Sequence, residues 1–569
     1  MRCGAPVRRL AAFLGLLAVA TPAAEKADRI FINGRVWTGD ANRPRAEALA
    51  VRDTKILAVG STSQIRELAE KGTEVVDLQG RFVCPGFIDA HLHFMGGSLS
   101  LEALRLDGAA SLSEIEKRIR DYARAHPDSA WITGEGWTYG AFPDGMPTRA
   151  QLEAIAPDRL AFLRSYDGHT AWVSSLALAK AGITHTTEDP PGGAILRDAQ
   201  GEPTGILKES AVRLVSQLVP TPAPFEKYRA FRKGLELAAS YGLTSVHQAS
   251  FDEEDLKVIE QVLAERGLKV RFYASVPLVK DPPPETLDRY QELRRKYTGP
   301  LLRFGAVKGF VDGVVESRTA AMFEPYPSGG TGLPRWTQED LDSTVALYDK
   351  AAYQVFLHAI GDRGIAMALS AYEHAAKANG TRGRRHRIEH VEVPRPEDLL
   401  RFKALGVIAS TQALFAQPDQ NHLEVYVPTL GPVRAARAMP FKAIDDAGVV
   451  QAFGSDWPVF SCEVLRGIYC AVTRMTPEGT PAGGWEPGNR ISAEAALRHF
   501  TRDAAFAGRE EDVKGTLAPG KLADLVVLSD DILAIPPVGL LETRVLLTVL
   551  GGQDTYRAKE FSWRPTPAR

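Results

Sequence analysis

The sequence predicts an α/β protein: a (β/α)8 TIM-like barrel, a small β-sandwich built from both chain ends, and a large insertion after barrel strand 1. Three observations lead there. Apolar strand-like runs alternate with helical stretches from Gly242 onward, the pattern that builds a parallel sheet. Short strand-like runs with turns gather instead at the two ends of the chain. Residues from about 96 to 224 separate the first strand of the series from the second, far more than a βα loop requires.

The chain has 569 residues, too many for one ordinary domain, and its 44% hydrophobic and 24% charged residues are globular values. A formal net charge of -2 gives no electrostatic reason to expect nucleic acid or an anionic membrane surface. The basic run Arg382 to Arg387 reads as the solvated entrance of a strand. Cys3, Cys84, Cys462 and Cys470 offer neither a disulfide framework nor a Cys-x-x-Cys zinc site, and Cys84 and Cys462 read as small buried hydrophobes.

Taken in order, Arg2, Arg8 and Arg9 precede the apolar run Leu10 to Ala20 and then Pro22, the layout of an export signal over residues 1–24. That run is too short to span a bilayer, and no later one is longer, so the expectation is an exported periplasmic or secreted protein without a membrane span. Residues 25–84 read as the first part of the sandwich. Within them Asn33-Gly34 lies between two apolar runs and predicts a hairpin. Ala48 to Val59 and Glu74 to Leu78 are further strands.

The barrel is expected over residues 85–510. Its first strand ends in His91-Leu-His93, and the insertion that follows should sit over the barrel mouth. The other seven strands are expected at 243–247, 270–275, 302–311, 354–359, 387–391, 407–411 and 449–454. Residues 511–569 return to the sandwich. There Gly515 to Lys521 resembles a phosphate loop but lacks the Ser or Thr after the lysine, and it reads as a turn before a strand.

Barrels of this kind do chemistry at the C-terminal strand ends, and polar residues collect at those positions. His91 and His93 end strand one, where residues two apart share a face. Lys308 ends strand four, His358 strand five, His390 strand six and Asp456 strand eight. Neutral imidazoles with a carboxylate suit zinc and similar cations, and the lack of thiolates suits a catalytic site with an open position. A lysine in such a set is anomalous, because an ammonium has no lone pair.

Several motifs, in this order, resemble the amidohydrolase superfamily, specifically the amidohydrolase family 3 or YtcJ-like branch. They are Pro85-Gly-Phe-Ile-Asp-Ala-His-Leu-His93, His169-Thr-Ala-Trp172, Gly192-Gly-Ala-Ile-Leu-Arg-Asp198, Pro203-Thr-Gly205, Ser317-Arg-Thr-Ala320, His358-Ala-Ile-Gly-Asp362, His386-Arg-Ile-Glu-His390 and Ser455-Asp456. The resemblance implies a metal-dependent hydrolase of a carbon–nitrogen bond other than a peptide bond, an amide first. Deamination of an amidine-like heterocycle is the alternative, and a non-catalytic metal-binding protein is a further one that the six filled ligand positions oppose.

The resemblance implies that His91, His93 and Asp456 hold one ion, and that His358 and His390 hold a second. Lys308, carboxylated, bridges them, with zinc the default metal; a single ion, with Lys308 on an acidic substrate group, stays open. Asp456 serves as general base and then acid. Four residues are candidates for substrate contact, each with a structural alternative: His169, Trp172, His247 and Arg318. Asp362 and Arg363 are candidates to support the neighbouring ligand. The expected partner is a small-molecule substrate, with monomer and homodimer both open.

Overall fold

Eight parallel strands form one sheet in the order in which they occur along the chain: Phe87–Leu92, Leu243–Gln248, Arg271–Pro277, Leu302–Phe310, Gln354–Ala359, Arg387–His390, Ile408–Gln412 and Gln451–Gly454. This computed structural model describes Met1 and residues 25–142, 145–381 and 383–561. The expected export signal, Met1 apart, lies outside the described residues. No helix among them is long and apolar enough to cross a membrane.

The two-residue period of a strand sorts side chains between the faces of this sheet. Phe272, Val307, Leu357 and Ile388 belong to the main apolar core, whereas Tyr273, Ala306 and Phe356 form a small separate cluster. Lys308 and His358 follow Ala306 and Phe356 by two residues, so the alternation that fills the barrel also delivers these two groups to its C-terminal end. Arg387 and Glu389 alternate with Ile388 in the same way.

The sheet is nearly closed. Between the eighth strand and the first, the described residues form no continuous ladder; the join is made at the site end. The Asp456 amide donates to the His91 carbonyl at 2.7 Å, and the His93 amide to the Trp457 carbonyl at 2.9 Å. Below them the Ser455 hydroxyl donates to Asp89 at 2.5 Å. Gly454 permits the approach, since a Cβ there would lie 2.5 Å from the His91 backbone nitrogen.

Both chain ends meet in the sandwich. One sheet joins Gln553–Arg557, Val545–Leu550 and Leu525–Leu528 from the C-terminal end to Phe82–Pro85, Arg35–Trp37 and Arg45–Ala46. The other sheet contains Lys55–Gly60, Ala48–Arg52, Arg29–Ile32 and Glu74–Asp77, and the two share one apolar core. The hairpin expected at Asn33-Gly34 does not form. Arg29–Ile32 and Arg35–Trp37 enter different sheets, and Asn33, with φ of 57°, is the crossing between them. Asn-Gly supplied the bend, but both flanking runs are buried and each found its partners elsewhere.

The insertion carries its own six-stranded sheet, from Leu104–Arg105 to Pro203–Glu209, with an apolar core around Trp137, Leu163 and Trp172. It reaches over the C-terminal end of the barrel, where Tyr166, Asp167 and His169 join barrel residues in lining one cavity.

Candidate metal centre

Two imidazoles from the first strand meet a carboxylate from the eighth. Nε2 of His91 and Nε2 of His93 each lie 3.3 Å from Oδ1 of Asp456. His390 closes on the same group: its Nδ1 is 4.0 Å from Asp456 Oδ2, and its ring centroid is 5.0 Å from that of His91. His91, His390 and Asp456 offer donor atoms all within 4.8 Å of one another, the geometry of a possible metal site. The His358 ring follows at 4.4 Å from His390. Lys308 is buried beside them, with Nζ 4.2 Å from the centre of the Phe310 ring.

Three atoms test whether this set fits a cation. His91 Nε2, Asp456 Oδ1 and Lys308 Nζ are buried, and none completes a hydrogen bond. Orphaned buried donors and acceptors are costly, and two lone-pair donors aimed at a common point are what a metal ion uses. Backbone strain points the same way. His390, Val391 and Asp456 have φ of 77°, 52° and 58°, left-handed values that non-glycine residues keep only where the surroundings impose them.

Three of the four histidines are oriented by a second contact. Nδ1 of His91 is 2.5 Å from Glu389 Oε2, and Nδ1 of His390 is 2.8 Å from Gln412 Oε1. Nε2 of His358 lies 3.2 Å from the Gly313 carbonyl. These acceptors fix the proton on the outer nitrogen of each ring and leave His91 Nε2, His390 Nε2 and His358 Nδ1 as lone pairs. Arg387 in turn grips Glu389 through Nε and Nη2, both at 2.9 Å.

The protonation states suit ligation, which requires neutral imidazole. Burial lowers His93, takes His358 well below the usual histidine range and brings His390 to about 3. His91 is the exception: burial pulls it down, but the charges of Glu389 and Asp456 together outweigh that and raise it. For Asp456 burial opposes ionisation, yet the field of the neighbouring His91 and His390 holds it well below the carboxylate range. Burial brings the Lys308 amine down to about 8, so a usable neutral fraction exists near pH 7.

A cavity of about 760 Å³ opens onto His358, His390 and Asp456, with the insertion as its far wall. Of the four substrate-contact candidates the structure brings only His169 into it. Its ring lies 5.2 Å from that of His358, and its Nδ1 is 2.9 Å from Glu209 Oε2. Trp172 does not face the cavity. It is fully buried in the core of the insertion, edge-on to Phe142, with its indole N–H on the Thr148 carbonyl.

His247 sits below the site, its Nδ1 accepting from Arg387 at 2.9 Å, because strand two points it into the barrel rather than out of it. Arg318 is exposed and bonds Ser328 at 3.0 Å, beside a separate, smaller cleft. Asp362 receives the Phe323 amide and pairs with Arg437, and supports no ligand. That place is taken by Asp312, which accepts the Ile360 and Gly361 amides and lies 3.9 Å from His358 Nε2.

Sequence reasoning missed Arg387, Glu389, Gln412 and Asp312. Arg387 is buried inside the barrel, not part of a solvated strand entrance, because its charge is matched by Glu389. The usable signal was parity: Arg387 and Glu389 are two apart in a strand whose other face, Ile388, is apolar.

A profile described as the amidohydrolase family matches residues 74–556 of the chain. Protein LONG AFTER FAR-RED 3 of Arabidopsis thaliana is 33% identical, over 95% of this chain and 94% of its own length. An N-substituted formamide deformylase of Arthrobacter pascens is 27% identical, over 93% of this chain and 98% of its own. Among solved structures, a metal-dependent hydrolase from Pyrococcus horikoshii OT3 superposes with a TM-score of 0.70 at 26% identity, covering 90% of this chain and 99% of that one.

Proposed function

The chain belongs to the amidohydrolase family, and on that premise we propose that it hydrolyses a non-peptide carbon–nitrogen bond, an amide, with the centre above as its active site. One observation carries the reading: donors from the ends of five different barrel strands gather at one place, three of them with orphaned buried atoms, and His358, His390 and Asp456 among them open onto a single substrate-sized cavity. The formamide deformylase among the relatives makes N-substituted formamides the first substrates to test.

His91, His93 and Asp456 would hold one divalent ion, zinc by donor type, and His358 and His390 a second, with carboxylated Lys308 between them. Such ions supply Lewis acidity and lower the pKa of water toward neutrality. The chain's own residues do the rest. Asp456 is ionised, and Oδ2, the oxygen not turned to His91 and His93, takes a proton from the attacking water and returns it to the leaving nitrogen. His169, steadied by Glu209, is placed to contact the substrate carbonyl. The insertion wall excludes bulk water, which strengthens every charge interaction inside.

A one-ion form is a second reading, favoured by the tighter convergence of His91, His390 and Asp456 than of the remaining donors. Metal analysis of active protein separates the two: about one or about two ions per chain. Turnover is tested with metal-loaded protein against N-substituted formamides, following amine release. Ammonia release from amidine-like heterocycles with no formamide turnover would favour the deaminase alternative, and inertness toward both would defeat the catalytic reading. Export rests on the residue pattern of positions 1–24, and an intact Met1 on native cytosolic protein would defeat it.

A further inference from the structure

One wall of the cavity is acidic and aromatic, and the centre described above does not use it. Asp167, Glu316 and Glu392 line this wall together with Tyr166, Phe415 and Phe460. Among the described residues no basic side chain lies within ion-pair distance of any of the three carboxylates. The two cavity arginines are engaged elsewhere: Arg105 pairs with Asp107 and Glu135, and Arg466 hydrogen-bonds Gln417.

Glu392 is 4% exposed and Tyr426 2%, both line the cavity, and neither Glu392 Oε2 nor the Tyr426 hydroxyl completes a hydrogen bond. Buried carboxylates without a counter-charge are costly. The Tyr166 hydroxyl donates to the Glu316 carboxylate. Burial, then the charge of Asp167, push its carboxyl up to about 7.

The wall is built for something other than a metal ion. Among the described residues only His91, His390 and Asp456 form a group with metal-ligand spacing; the three wall carboxylates do not. Around them stand ring faces: Tyr166 and Phe415 each pack against Phe460, with centroids 6.1 and 5.3 Å apart, and Phe415 stacks on the His390 ring at 5.8 Å. Carboxylates beside ring faces are how proteins hold organic cations, by charge-assisted hydrogen bonds and cation–π attraction.

We propose that this wall is a subsite for a positively charged nitrogen, so that the substrate is an amide whose chain carries an ammonium or guanidinium group. The proposal deepens the amide-hydrolysis reading and names the substrate class for it. The contact of Phe415 with His390 sets the subsite directly beside the metal centre, on the side where Glu392 leaves the sixth strand.

The test compares two formamides of matched shape on the metal-loaded full chain: N-(4-aminobutyl)formamide, which is cationic, and N-pentylformamide, which is neutral. The cationic one should have the higher kcat/KM by about tenfold or more, the ratio one charge-assisted contact gives. E316Q and E392Q should each bring the ratio toward one while keeping a cooperative melt.

Equal or better turnover of the neutral compound by the parent would overturn the proposal while leaving amide hydrolysis standing. If neither formamide turns over, the amide reading fails separately, and calorimetric titration with pentylammonium and with pentan-1-ol decides the subsite. Saturable ammonium binding lost in E392Q supports it, and identical behaviour of the two probes overturns it.

Discussion

Glu389 Oε2 stands 2.5 Å from Nδ1 of His91, and the carboxylate is held there by two hydrogen bonds from Arg387, Nε to Oε1 and Nη2 to Oε2. The carboxylate therefore fixes which His91 nitrogen keeps its proton and turns the other toward Asp456. Partners of this kind set the affinity of the ligand they orient. Glu389→Gln keeps the shape but removes the charge, and should weaken metal binding roughly 10- to 100-fold. Competition with a chelator of known affinity measures this; unchanged affinity would mean that Glu389 serves the fold alone.

Lys308→Ala removes the group proposed to bridge two ions. On that reading two cations would lose the anion between them in a poorly hydrated site, where their repulsion would be large. Metal content should drop and turnover fall by orders of magnitude. Short carboxylic acids, able to occupy the vacated position, should restore part of the activity, whereas a His358→Ala variant should not respond to them. Two tightly bound ions and normal turnover in Lys308→Ala would assign the lysine to the substrate instead.

Trp172→Ala probes packing. The indole is fully buried in the insertion core and its N–H is satisfied by a carbonyl, so truncation should cost about 3–5 kcal/mol of stability. The order of preference among substrates should stay as it is. Denaturant unfolding and relative kcat/KM values check both halves, and a changed order with little loss of stability would put Trp172 in contact with the substrate after all.

His499 gives a prediction about pH. Its ring nitrogens meet Asp503 at 2.9 Å and Asp445 at 3.2 Å. Burial works against protonation, but the two carboxylates outweigh it and raise the folded-state value. A group raised on folding contributes its full stability below its unfolded value, about 6.5, and loses it as pH rises through the folded one. The stability gap between parent and His499→Gln should thus be widest near pH 6 and narrow as pH rises toward 9. A gap that widens with pH would reverse the assignment.

The barrel was legible because its strands are buried on both faces and read as near-continuous apolar runs, with each ligand placed where a run stops. Seven of the strand positions after the insertion follow from that alone. The candidate ligands could be picked out because histidine and lysine are conspicuous at such stops. Glu389, Gln412 and Asp312 were not, since a carboxylate or amide that touches only a ligand has no sequence mark of its own; its role exists once two strands are side by side. Trp172 shows the converse error. A large aromatic in one motif with His169 reads as pocket lining, but the two are three residues apart, and an odd spacing in extended chain points side chains to opposite faces, so one of the pair had to be turned away. The Asn33-Gly34 crossing was misread for a similar reason: a turn signal states that the chain bends and does not say which sheet receives it.

The near-closed seam of the barrel carries a consequence for biosynthesis. His91 and Asp456 belong to strands that are neighbours in space but leave the ribosome at opposite ends of the barrel's synthesis, and Asp89 and Ser455 bridge the same gap. Until Gly454 is made, the backbone that aims His91 and His93 has nothing to dock against, and ring closure over so long a chain comes late. A nascent chain stalled before strand eight should then hold metal poorly even though all five of the proposed histidine and lysine ligands are already present. Uptake of the ion would then mark the meeting of the first and last barrel strands.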